Sequence, residues 1–199
     1  MLTDPMFYAA AIPGVLLAGL AKGGFEPSAF VQRMKRIDDK GACGVWYPLN
    51  VTGALQGYVG FSRAATLNCP LTSALDGWLY HVVEPAAQRI YGAYVTNIKI
   101  LSSYSCRTRN SKAYGKVSEH SFGNAIDIAA FTLSDGRTIT VEHDWRGAPQ
   151  DRVFLREAHK GACTLFTTVI GPDGDKAHYN HFHLDLARHN EAGTYRYCK

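Results

Sequence analysis

An α+β fold, with a small antiparallel sheet and flanking helices, is predicted by three features of this 199-residue sequence. Short β-branched or alternating runs recur at Tyr94–Ile100, Ala125–Phe131, Thr138–Glu142, Leu165–Ile170 and Phe182–Leu186, as expected of strands. Asp135-Gly136 between two of these runs suits a tight hairpin turn. Helical spacing is confined to a few stretches, so strands and helices do not alternate as βαβ units would.

Taken in order, residues 1–24 read as an apolar appendage to a single domain over residues 25–199, with Gly23, Gly24 and Pro27 punctuating the join. Met6 to Leu20 is nearly all apolar, the length of a signal-peptide core. Asp4 precedes it and Lys22 follows it, the reverse of signal-peptide charge order. It is also short of the roughly 20 apolar residues a membrane span needs. Membrane association through residues 6–20 and an amphiphilic helix packed on the domain are the two expectations. The stretch resembles the first membrane helix of sulfite-exporter-type permeases, as a fused or mis-started terminus would.

Phe30 to Asp38 admits a short helix, and Gly41 to Pro70 mixes Gly, Pro, Thr and Asn with apolar runs as loops and edge strands do. Leu71 to Tyr91 reads as a helix capped by Thr72 or Ser73, with Leu75, Leu79, Val82 and Val83 at helical spacing and Pro85 expected to kink or split it. Asp151 to His159 reads as a short helix with Phe154 and Leu155 facing inward.

Composition narrows the function. Apolar residues at 46% and charged residues at 19% fit a soluble globular protein. The net charge of +4 comes from scattered Lys and Arg rather than a basic run, so no nucleic-acid partner is expected. Cys43, Cys69, Cys106, Cys163 and Cys198 are widely spaced and form no CxxC pair. Wide spacing favours two disulfides and one leftover thiol in an oxidising compartment such as a periplasm; buried cytosolic thiols are the alternative. Cys106 and Cys163 flank the expected core strands, and their pairing is the expectation.

Chemistry concentrates in two segments. In Ser118-Glu-His120-Ser-Phe-Gly123-Asn-Ala125-Ile-Asp127, a histidine and a carboxylate bracket a glycine, as if a loop bends back to bring both to one point. Strand alternation puts Asp127 on a face with Ala125 and Ala129, and Ile126 and Ile128 on the other. In His178-Tyr-Asn-His181-Phe-His183-Leu-Asp185-Leu, the same alternation puts His181, His183 and Asp185 on one face and Phe182, Leu184 and Leu186 on the other. That pattern suits a metal ligand beside a proton-transfer group, with Asp185 orienting an imidazole from behind. Taken singly, each residue has an ordinary structural reading, and His143, His159 and His189 are read that way. A cysteine nucleophile is the competing chemistry, but neither Cys106 nor Cys163 sits in a nucleophile context. G-x-S-x-G, Walker and HExxH motifs are absent.

At these segments the sequence resembles the zinc peptidases grouped with lysostaphin, D-Ala-D-Ala peptidases and the hedgehog signalling domain. Their S-x-H-x-x-G-x-A-x-D pattern matches Ser118 to Asp127, and their downstream H-x-H matches His181 to His183. More narrowly, CPLTSALDGW, SYSCRTRN, SEHSFGNAIDIAAF, FLREAHKGACTLF, GPDGDKAHYNHFHLDL and YRYC are similar to the bacterial extensin-like C-terminal family, over roughly Gly41 to Cys198. The resemblance implies a hedgehog/D-Ala-D-Ala peptidase-like fold and Zn2+ held by His120, Asp127 and His183. It implies His181 as general base, His178 as a helper, Arg107 as an oxyanion donor and a peptidoglycan peptide as substrate. Where dipeptidase members carry a glutamate base, this chain has Asn180, so the base falls to His181 as in the endopeptidase-like members. An inactive zinc-containing envelope binding module, as hedgehog exemplifies, is the alternative.

Overall fold

The structure, a computed structural model, describes residues 28–199. The appendage expected over residues 1–24 lies outside the described residues. Among the described residues, no helix is long and apolar enough to cross a membrane.

The chain begins with β1 (Val31–Arg33), β2 (Ile37–Asp38), β3 (Gly44–Val45), β4 (Leu49–Ala54) and β5 (Val59–Leu67). Helices α1 (Cys69–Trp78) and α2 (Glu84–Tyr91) are joined by a π-helical turn, Leu79–Val83. Then come β6 (Val95–Ser102), β7 (Ala125–Leu133), β8 (Thr138–Thr140), α3 (Val141–Asp144), α4 (Pro149–Leu165), β9 (Thr168–Ile170), β10 (Phe182–Asp185) and β11 (Tyr197–Cys198). A nine-stranded sheet runs β1-β4-β5-β6-β7-β10-β9-β11, with β8 also on β7, and β2 pairs with β3 alone.

The α+β class stands, but the sheet is neither small nor wholly antiparallel, since β5–β6 and β9–β11 are parallel pairs. The helix expected over Phe30 to Asp38 is instead two short strands. Gly41 to Pro70 supplies two full strands, and β5 lies between β4 and β6 rather than at an edge. Burial of Val59, Phe61, Ala65 and Leu67 against the helices outweighs the loop-like composition there.

The long helix forms as expected, but its cap is Asn68, whose side-chain oxygen accepts from the Leu71 N–H. The proline-containing turn is met by the π-helical turn just before α2, which carries Pro85 near its start, where a missing N–H costs least. Thr138 to Glu142 ends as a strand at Thr140, whose hydroxyl caps α3. α4 runs on to Leu165, past the expected end at His159, with Phe154 and Leu155 fully buried.

One face of the sheet is oily. Ile126 and Ile128 of β7 and Phe182 and Leu184 of β10 join Leu75, Trp78, Phe154 and Ala158 of the helices in one apolar core. The buried Ile, Leu and Phe side chains each stabilise by about 1.5–3 kcal/mol. Trp78 is fully buried, meets Phe131 edge-on at 6.0 Å between ring centroids, and donates its indole N–H to the Ala158 carbonyl at 2.9 Å. This core fixes β7 and β10 from beneath, and their other face is left for polar groups.

Two disulfides, Cys43–Cys106 and Cys163–Cys198, brace the fold, and Cys69 is free. The expected Cys106–Cys163 pair is therefore wrong. Cys106 lies beyond β6 beside the β2–β3 ribbon, whereas Cys163 is on α4, which packs against β9 and β11 and so meets Cys198.

Candidate metal centre

The polar face of β7 and β10 is built by alternation. His183 and Asp127 are direct cross-strand partners in the antiparallel register, so their side chains leave the sheet on the same side. Ala125 and Ala129, the small neighbours of Asp127 on that face, are buried and leave room above them. On its other edge β7 meets β6 with register shifts on both sides of Ile100, where Ser102 pairs with Asp127. Such bulges re-aim the chain next to a site. The next residue, Ser103, turns its carbonyl to the site.

His120 arrives from the 3-10 turn Glu119–Phe122. Gly123 ends that turn with φ of +61°, and a Cβ there would stand 3.2 Å from the Asn68 nitrogen and from Val45 Cγ2. The left-handed φ favours glycine, and any side chain there would also push its neighbours by a few tenths of an ångström. The Asn68 N–H also donates to the Gly123 carbonyl at 2.7 Å, tying the turn to the head of α1.

These elements bring His120, Asp127 and His183 together, with one donor atom from each within 4.8 Å of the others. His120 Nε2 lies 3.2 Å from Asp127 Oδ2 and 3.3 Å from His183 Nδ1, and His183 Nδ1 lies 2.9 Å from Asp127 Oδ1. Zinc bonds of roughly 2.0–2.1 Å imply a tetrahedral edge of about 3.3 Å, so the spacing fits such an ion. Behind each imidazole stands an acceptor. His120 Nδ1 donates to the Ser103 carbonyl at 2.6 Å and His183 Nε2 to Asp185 Oδ2 at 2.9 Å. Both inner nitrogens therefore face Asp127, the orientation metal-binding histidines take.

The electrostatics are those of a cation site. Burial opposes charge on Asp127, but the adjacent His120 and His183 imidazoles hold its carboxyl far below the usual range. Burial likewise opposes charge on His183, yet Asp127 and Asp185 on its two sides raise it to about 9. Without a metal the cation held between these carboxylates is a proton, which a metal would displace.

The other expected residues gather around this point. His181 Nε2 is 3.6 Å from Asp127 Oδ1 while its Nδ1 is 2.8 Å from Asn180 Oδ1. Burial is the main cause lowering its pKa to about 4, keeping it neutral. His178 is buried, with its ring centroid 5.1 Å from that of His181 and 5.6 Å from that of His183. Arg107 Nη2 approaches Asp127 Oδ2 at 3.9 Å. Its backbone is pinned by the buried Ser121 hydroxyl, which accepts from the Arg107 N–H and donates to the Ser105 or Arg107 carbonyl.

Arg107, Asp127, His178, His181 and His183 line one open cleft of about 580 Å³. Three contributors to the site were missed in the sequence. Asp175 accepts from His178 Nδ1 at 2.7 Å, and its spacing three residues ahead of that histidine was the available signal. His189 lines the cleft with Nε2 2.8 Å from Thr168 Oγ1, although it reads as structural from sequence. The Ser103 carbonyl carries no side-chain signal at all. His159, by contrast, packs behind the sheet against Trp145 and Phe182, as its structural reading expects. Its grouping with Cys163 and Cys198 is closed by their disulfide.

Residues 21–199 match the sequence model of the family described as Extensin-like protein C-terminus. No curated protein and no solved structure matches the chain.

Proposed function

The chain belongs to the Extensin-like protein C-terminus family, and from that membership and the site we propose a zinc-dependent amide hydrolase acting on peptidoglycan peptide. The observation that carries the reading is the convergence of His120 Nε2, Asp127 and His183 Nδ1, with the outer nitrogen of each imidazole already committed to an acceptor. Resemblance of the two segments to the hedgehog/D-Ala-D-Ala peptidase group supports the substrate class.

Zinc bound by this triad supplies Lewis acidity, polarising an amide carbonyl and drawing the pKa of water towards neutrality. The chain's own residues do the rest. His181, neutral and open to the cleft at Nε2, takes the proton of the water that attacks the carbonyl carbon and returns it to the leaving amine. The Arg107 guanidinium offers N–H donors to the oxyanion that develops. His178, anchored by Asp175, walls the cleft beside His181 and assists proton movement there. The two disulfides support an oxidising compartment such as the periplasm.

The test compares the full chain with His181→Ala for zinc content and for new amines and muropeptides released from purified peptidoglycan. One zinc per chain in both, with products from the parent alone, supports a peptidase. One zinc in both with no products from either would favour the alternative, an envelope binding module. A parent that takes up no zinc would remove the reading altogether.

A further inference from the structure

Asn180 immediately precedes the imidazole proposed as base, and its amide oxygen lies 2.8 Å from His181 Nδ1. A neutral imidazole carries one N–H and one lone pair, so an acceptor at Nδ1 keeps the proton there and leaves the lone pair on Nε2. Nε2 is the nitrogen that faces the triad, 3.6 Å from Asp127 Oδ1. We propose that Asn180 is a positioning residue whose side-chain oxygen holds His181 in its Nδ1–H tautomer, so that the basic nitrogen faces the metal triad. The inference rests on the reading of His181 as the base.

The surroundings argue for it. The site repeats one device: His120 is tied outward at Nδ1 to Ser103, His183 at Nε2 to Asp185 and His178 at Nδ1 to Asp175. Asn180 completes the set for His181. The opposite tautomer would set the Nδ1 lone pair against the amide oxygen at 2.8 Å, acceptor against acceptor, whereas Asp127 Oδ1 at 3.6 Å from Nε2 is beyond hydrogen-bonding distance and does not hold a proton there. An amide also fixes the tautomer without adding a negative charge to a cleft that already contains Asp127, Asp175 and Asp185. This gives a physical role to the position at which the sequence departs from the dipeptidase pattern. The carboxylate base is lost, and the residue in its place prepares the neighbouring imidazole.

The experiment reads the tautomer directly, by long-range 1H–15N correlation on the 15N-labelled full chain with and without added zinc. The parent should carry the His181 proton on Nδ1. In Asn180→Ala it should move to Nε2 or spread over both nitrogens, and in Asn180→Asp, which retains the acceptor oxygen, it should stay on Nδ1. The His120 and His183 signals in the same spectra report that each variant is folded. A parent with its proton on Nε2, meaning that the amide presents its nitrogen, overturns the proposal. So does an Asn180→Ala variant that keeps the parental tautomer. No substrate is needed, so a chain that cuts nothing leaves this test standing. Where peptide is cut, kcat of Asn180→Ala should fall about tenfold with KM unchanged, and an unchanged kcat counts against it.

Discussion

His183 Nδ1 lies 2.9 Å from Asp127 Oδ1 across the β7–β10 register, and on its far side Nε2 lies 2.9 Å from Asp185 Oδ2. An imidazole set between two buried carboxylates is a strong receptor for positive charge.

Metal uptake should be coupled to proton release. His183 is raised to about 9, so at pH 7 an incoming ion displaces about one proton. The sign follows: apparent zinc affinity falls about tenfold per unit as pH drops from about 9 towards neutrality. Titration calorimetry in buffers of different ionisation enthalpy would reveal it, and a proton count of zero would contradict the arrangement.

In the metal-free chain the same group links stability to pH. Its folded pKa is raised from 6.5 to about 9, so its contribution is complete below about 6.5 and is lost as pH rises through about 9. Denaturant unfolding of the metal-free parent should weaken over that window, and His183→Gln should flatten the decline.

Asp185 orients His183 without reaching the triad's centre. Asp185→Asn should lower zinc affinity about 10–100-fold while leaving the fold intact. Competition with a chromogenic chelator measures it, and an unchanged affinity would mean that orientation from behind contributes nothing.

Gly123 has a left-handed φ of +61°, and a Cβ there would crowd Asn68 and Val45 at 3.2 Å. Gly123→Ala should cost about 1–3 kcal/mol of stability and, by displacing His120, weaken zinc binding more than a surface Gly→Ala such as Gly41→Ala. Equal effects of the two substitutions on zinc binding would argue that the turn does not position the ligand.

Away from the site, Glu84 is buried, accepts from the Val95 N–H with one oxygen and, among the described residues, has no partner for the other. Burial raises its pKa to about 7. Its contribution is therefore present below about 4.5 and lost as pH rises through about 7. Glu84→Gln should stabilise the chain by about 1–3 kcal/mol at pH 8 and change little at pH 5, readable from urea midpoints at the two values.

What could be read from the sequence was whatever depends on local period. Side chains alternate in a strand, so Asp127, His183 and Asp185 were assignable to a polar face and Ile126, Ile128, Phe182 and Leu184 to the core, as the structure has them. The turn at Gly123 was legible because few residues but glycine fit it. What depends on distant neighbours was not. Val59 to Leu67 is a strand because helices and β6 cover it, and nothing inside the segment says so. Cysteine pairing depends on which elements lie beside each thiol, and that choice was misjudged for Cys106 and Cys163. Asp175 and the Ser103 carbonyl join the site through loop geometry, which has no period.

His120 and His183 are 63 positions apart, the same span that the Cys43–Cys106 bridge closes. An ion shared by the two imidazoles would be a third fastener on the chain. By the chain-entropy account a closure of that length removes about 4 kcal/mol of freedom from the unfolded chain. Losing a bound ion would thus lower the stability of the whole chain, so metal-free protein should be cut faster by an added protease than metal-loaded protein.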